Sequence, residues 1–96
     1  MSKPAAYKFR MYVAGDAPNS SLAISNLLAL CRTYLPDRHE IEIVDVLREP
    51  KLALANGILM TPTLVKLAPG AIRQIVGTLS QLDTVLLALG LKTAAA

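Results

Sequence analysis

Tryptophan is absent from the 96-residue chain, phenylalanine occurs once and tyrosine three times. So few rings exclude a surface that reads single-stranded nucleic acid by stacking, and the core must be aliphatic. Histidine also occurs once: His39 stands in a charged turn with Asp37, Arg38 and Glu40, lacks a second ligand at metal-binding spacing, and reads as a solvated loop residue. The single cysteine, Cys31, has no partner for an internal disulfide. No charged segment followed by an apolar stretch and a cleavage site opens the chain, so the expected location is cytoplasmic. No wholly apolar run exceeds five residues, Val85 to Leu89 being one. A bilayer span needs about 20, so no membrane association is expected. A glycine-rich phosphate cradle is missing as well, which argues against nucleotide hydrolysis by the chain itself.

What is present suits one folded domain. The residues are 53% hydrophobic and 18% charged, outside the profile of a disordered segment. The length accommodates a single domain, 1–96, with the ordered part expected over about 7–91. The net charge of +3 is segregated: Asp37 to Glu49 holds five acids and two bases, leaving +6 on the remainder. No basic run is dense enough to argue for DNA.

Tyr7 to Ala14 alternates an apolar set (Tyr7, Phe9, Met11, Val13) with a partly polar set (Lys8, Arg10, Tyr12), the period-two pattern of a strand. Gly15-Asp16-Ala17-Pro18-Asn19-Ser20 gathers turn formers, and the side-chain oxygen of Ser20 or Asn19 suits a helix cap. From Leu22, apolar residues at Ile24, Leu27, Leu28, Cys31 and Leu35 recur every three or four positions until Pro36, which predicts one long amphipathic helix. Glu40 to Val46 alternates again, and a helical crossover between two strands implies parallel pairing. Pro50 suits a first helical turn, and Asn56-Gly57 closes a short helix over Leu52 to Ala55. Ile58-Leu59-Met60 reads as an apolar approach, Thr61-Pro62-Thr63 as a proline turn and Leu64 to Leu67 as a third strand. Ala68-Pro69-Gly70 turns the chain into a fourth strand, Ala71 to Val76, broken by Gly77. Ser80 with Asp83 forms a variant capping box before a helix whose Leu82, Val85, Leu86 and Leu89 share a face up to Gly90, and Lys92 to Ala96 reads as a frayed tail. The order β-α-β-α-β-β-α is that of a thioredoxin-like α/β fold, and Pro62 meets its signature of a proline opening the third strand.

Thiol chemistry in that fold sits between the first strand and first helix, where the helix dipole holds a thiolate. The loop from Gly15 to Ser20 has no cysteine, and Cys31 lies about three turns further on, in phase with Ile24, Leu27, Leu28 and Leu35, as a core residue. A hydroxyl of Ser20 or Ser21 that activates glutathione is the remaining enzymatic reading. Capping accounts for a serine there without catalysis.

Tyr12-Val13-Ala14-Gly15, Pro18-Asn19-Ser20, Val44-Asp45-Val46-Leu47 with Pro50 and Leu52-Ala53, Thr61-Pro62-Thr63-Leu64, and Arg73 to Ile75 with Gly77 and Leu79-Ser80 form an ordered series. From about Tyr7 to Leu91 this series resembles the KaiB circadian clock protein family. The resemblance implies a non-enzymatic protein, without a cofactor, that docks on the ATPase ring of a KaiC-type hexamer and regulates its phosphorylation cycle. It also implies metamorphism: a resting homo-oligomer, tetramer or dimer, of β-α-β-β-α-α-β subunits whose second half rearranges into the thioredoxin-like form to bind. Val85 to Leu89 and Ile58 to Leu67 suit either strand or helix and so permit two packings. Pro62, Ala88 and Gly90 are the positions that bear on this switch, the bond before Pro62 being expected cis in the thioredoxin-like form.

Glu40 and Glu42, and the ending Lys92-Thr93-Ala94-Ala95-Ala96, depart from the more basic second strand and more acidic end of cyanobacterial members. That argues against docking of a KaiA-type third component. Pro69-Gly70-Ala71 replaces a run of prolines, and Thr78 stands where an acid is usual. Lys51, Lys66 and Arg73, charges of the second half, are the candidate partner contacts, set against a plain reading as solvated charge. The alternatives are a thioredoxin-like adaptor or sensor-type binding module with a different partner, such as a relative of the sensor domain of clock histidine kinases, and an oxidoreductase of thiol or glutathione chemistry.

Overall fold

The alternating segments become strands. A computed structural model describes residues 6–92. In it β1 (Tyr7–Val13), β2 (His39–Asp45), β3 (Thr63–Ala68) and β4 (Arg73–Val76) form one sheet in the order β2-β1-β3-β4. β1 and β2 run parallel, with Tyr7 opposite His39 and Val13 opposite Asp45. Such a pair requires a long crossover, which α1 (Pro18–Tyr34) supplies. β3 lies antiparallel to β1, and β4 antiparallel to β3. With α2 (Pro50–Ala55) and α3 (Leu82–Ala88) the order is the expected β-α-β-α-β-β-α, a thioredoxin-like fold. The expected frayed tail falls largely on 93–96, outside the described residues.

Successive side chains of β1 point to opposite faces, so one strand serves two cores. Tyr7, Phe9, Met11 and Val13 pack with Ala23, Leu27, Leu30, Cys31, Leu35, Leu64, Val85, Leu86 and Leu89, beneath α1 and α3. Tyr12 faces the other way, with Val44, Ala53, Ile58 and Val65 beneath α2. A leucine fully removed from water contributes about 2 kcal/mol. Leu27, Leu35, Leu64 and Leu89 therefore anchor the larger layer.

The stripe on α1 is rotated from the expected one. Leu22 and Leu28 are about half exposed, whereas Ala23 and Leu30 are buried. Apolar residues encircle too much of this helix for periodicity alone to select a face, and the sheet selects 23, 27, 30 and 31. Neither Asn19 nor Ser20 caps it. Ala17 holds the cap position, and the buried Ser20 hydroxyl instead accepts the Ala14 N–H at 3.1 Å. Ser80 likewise does not cap α3, where Gln81 takes the position without a side-chain bond, and Leu82 is about half exposed. His39 is not a solvated turn residue: it opens β2 with Nδ1 2.7 Å from the Leu35 carbonyl oxygen. β4 begins at Arg73 rather than Ala71.

Both short helices end as glycine permits. Gly57 (φ 71°) lets the Ile58 N–H return to the Ala53 carbonyl at 2.9 Å, and Gly90 (φ 75°) lets the Leu91 N–H reach Leu86 at 2.8 Å. The peptide bonds before Pro62 and Pro69 are cis.

Candidate docking surface

At one end of the sheet β1, β2 and β4 finish and β3 begins, so four loops converge there. The Asp45 carboxylate ties two of them together: its Oδ1 accepts the Gly15 N–H at 3.0 Å and the Leu47 N–H at 2.9 Å. Leu47 Cδ1 would lie 3.5 Å from a Cβ added to Gly15, whose φ of 57° already favours glycine. The side chain of Leu47 thus rests over the first loop. This is the place where the fold elsewhere carries a reactive thiol. Here the thiol is Cys31, fully buried under α1, and burial pushes it up to about 11. At neutral pH it is a protonated, inaccessible thiol, not a nucleophile. The Ser20 hydroxyl is buried and engaged.

The connector from β2 to β3 leaves and re-enters the sheet at this same end. It buries Ala53 and Ile58 against Tyr12, Val44 and Val65, and this fixes α2 on the sheet. Four large apolar side chains of the connector then stand in water: Leu47 (71% exposed), Leu54 (67%), Leu59 (86%) and Met60 (62%). Scattered exposed aliphatics are ordinary, and four on one connector make it the candidate docking surface. The backbone around them is held from both sides. The Thr63 hydroxyl donates to the Met60 carbonyl at 2.6 Å, and the Gly77 N–H donates to the Pro62 carbonyl at 2.9 Å. Leu59 and Met60, which read in sequence as an approach to a strand, belong to a loop. Their position between Gly57 and Thr61-Pro62, too short a stretch to form an element of its own, is the one local sign of it.

The three candidate charges are not brought together. Lys51 is exposed on α2, inside the connector. Arg73 is exposed on β4 opposite Lys66, towards the end of the sheet where β1 and β2 begin. Lys66 itself is only 6% exposed, and its ammonium donates to the Pro69 carbonyl, so its charge is not presented to solvent. Of the residues expected to bear on a fold switch, Pro62 is buried just ahead of β3, while Ala88 and Gly90 are exposed at the end of α3.

The acids of β2 have partners set by the parallel register. Lys8 lies opposite Glu40 and Arg10 opposite Glu42, giving an ion pair at 3.9 Å and a hydrogen-bonded pair at 2.6 Å. Hydrogen bonds to the Tyr12 hydroxyl and to Glu42 hold the Arg10 guanidinium still more firmly protonated. Glu40 and Glu42 therefore balance β1 rather than forming a free acidic face.

Comparison with known proteins gives a consistent result. The KaiB domain family model matches residues 10–91. The circadian clock oscillator protein KaiB of Prochlorococcus marinus is 40% identical over 91 residues, covering 95% of this chain and 78% of the relative. The protein of the same name from a Synechococcus strain is also 40% identical, covering 95% and 83%. Among solved structures, the N-terminal domain of Synechococcus elongatus SasA is similar with a TM-score of 0.75 at 16% identity, covering 100% of this chain and 94% of that one. Chloroplastic thioredoxin z is similar with a TM-score of 0.72 at 17% identity, covering 93% and 80%. At such identities the two structures speak for the fold alone.

Proposed function

The chain belongs to the KaiB family, and on that premise we propose that it is a regulatory, non-enzymatic protein of the cytoplasm that binds the ATPase ring of a KaiC-type hexamer and modulates its phosphorylation and ATPase cycle. The observation that carries this reading is the connector between β2 and β3. It presents Leu47, Leu54, Leu59 and Met60 to solvent on the same connector as the exposed Lys51, on a backbone pinned by Asp45 and by the start of β3. Exposed aliphatics on a segment that also exposes Arg48, Glu49 and Lys51 suit a partner face that is apolar with a charged rim. Arg73, on the edge strand, is a second contact on this reading. Lys66 contributes by holding the β3–β4 turn through Pro69.

The thioredoxin-like form is the docking form on this reading, and the resting form is a homo-oligomer, a tetramer or a dimer, with the second half refolded as β-α-β-β-α-α-β. Assembly would cover aliphatic surface that a lone subunit leaves in water. Glu40 and Glu42, already paired, leave little for a KaiA-type protein to recognise.

Size exclusion of the protein mixed with a KaiC-type hexamer, with and without ATP, tests the proposal. The expected result is co-elution that depends on nucleotide, and a mass for the free protein well above 10.3 kDa. Failure to co-elute in either state would refute the docking reading and favour an adaptor for another partner.

A further inference from the structure

Asn26 sits in the middle of α1, where local propensity offers no reason for it, and its side chain reaches across the molecule. The amide Nδ2 donates to the Thr78 carbonyl at 2.8 Å and lies 3.5 Å from the Ser80 hydroxyl, which is itself 2.7 Å from the Thr78 hydroxyl. The segment so gripped, between β4 and α3, contains a leucine in the left-handed region: Leu79, φ 63°. That conformation is unfavourable for a residue with a branched side chain, and it persists only where the surroundings impose it. Two things do so here. The Leu79 side chain is buried in the larger core, 7% exposed, and Asn26 holds the carbonyl just before it.

The helix beyond the gripped segment cannot stand alone. α3 has seven residues, less than an isolated helix needs in water, and is kept by Val85, Leu86 and Leu89 in the core. Its first turn has no side-chain cap. Release of the 77–81 connector would free the Leu79 backbone from its left-handed conformation, and α3 would lose one of its ties to α1 in the same event, leaving the packing of Val85, Leu86 and Leu89 and the Tyr7 hydroxyl's bond to the Leu89 carbonyl to hold it. We infer that Asn26 is a clasp: its bond to Thr78 sets how often the segment from Gly77 through α3 opens from the rest of the thioredoxin-like fold as one unit. The inference rests on the proposed docking function only in so far as that opening begins the refolding of the second half.

Amide exchange followed by NMR on the full-length protein, over a series of urea concentrations below the unfolding transition and with no hexamer present, tests the clasp separately from docking. In the wild type, the amides of Val85, Leu89 and Leu91, which bond to Gln81, Val85 and Leu86, should exchange faster than those of β1 and depend less on urea, the mark of local opening. Asn26→Asp keeps the shape and removes the donor, and should speed these amides about tenfold, the worth of one such bond. Ser25→Ala, at the exposed neighbouring position, should leave them unchanged. Should Asn26→Asp fail to fold, Ser80→Ala, which removes the second acceptor and the partner of the Thr78 hydroxyl, should speed them by about twofold. α3 amides that share the rate and urea dependence of β1 would overturn the inference, as would amides unmoved by loss of the donor or, in that second variant, by loss of Ser80.

Discussion

Asp45 is the residue whose removal should most directly loosen the proposed docking end. Its carboxylate accepts two backbone N–H groups, from Gly15 and Leu47, and its side chain is 26% exposed. Hydrogen bonds to an ionised acceptor contribute about 1.5–3 kcal/mol each where solvent is kept out. The Leu47 amide lies on an exposed loop, so water replaces its acceptor at little cost. The Gly15 amide is only partly open and lies under Leu47, so its loss is felt. Together these set the expected destabilisation by Asp45→Ala at about 2 kcal/mol. Asp45→Asn retains a neutral acceptor in the same place and should cost about half as much. With an unfolding entropy of about 2.1 cal/mol/K per residue, the alanine variant should melt about 10 °C below wild type. Urea unfolding at fixed protein concentration is the assay: a lower midpoint at unchanged slope shows a loss of stability rather than a changed unfolded state. Arg48→Ala serves as control. Its guanidinium is 3.9 Å from Asp45 and its side chain 87% exposed, so it should cost less than about 0.5 kcal/mol. The role given to Asp45 is wrong if Asp45→Ala costs no more than this control, or if Asp45→Asn is as harmful as alanine.

Leu59→Asp should abolish co-elution with a KaiC-type hexamer while leaving the melting temperature within about 2 °C of wild type, since an exposed position carries little stability; Lys51→Glu should weaken docking about tenfold by reversing one contact charge. A large loss of stability in either variant would show that the connector is structural. Cys31 is held protonated by burial to about 11 in the folded state against 9.0 for an ordinary thiol, so the unfolded chain ionises first as pH rises. Stability should therefore fall between pH 9 and 11, by up to about 2 kcal/mol more in the wild type than in Cys31→Ala, as urea unfolding across that range will show. Insulin reduction should show no turnover dependent on Cys31. Capture by the hexamer, if refolding of the second half precedes it, should reach a plateau rate as hexamer concentration rises; a rate that climbs linearly to about 10⁵ per molar per second or beyond in interferometry would exclude a rate-limiting fold change.

The order and kind of the elements are written in the chain, because backbone period and punctuation are local properties. Tyr7 to Val13 alternates, Pro36 stops a helix, and Asn56-Gly57 and Gly90 end helices where a left-handed residue is needed. The core role of Cys31 is legible for the same reason. Which apolar residues stay wet is not: Leu22 and Leu28 fit the periodicity as well as Ala23 and Leu30 do, and only the position of the sheet distinguishes them. Ser20 and Ser80 have the chemistry of caps, but the Ala14 N–H claims the first hydroxyl and the neighbouring Thr78 hydroxyl the second, with Asn26 the one partner that chain folding brings near. Lys66 and Arg73 are alike in sequence and differ in burial, since Lys66 curls onto the turn at Pro69 and Arg73 lies on an edge strand. The pairing of Glu40 and Glu42 needs the parallel register, and the exposure of Leu47, Leu54, Leu59 and Met60 needs the return of the connector to the end of the sheet it left. The α1 face, the Glu40 and Glu42 pairs and the Asn26 contact belong to the folded chain because they depend on distances between residues far apart in sequence, which no local pattern encodes.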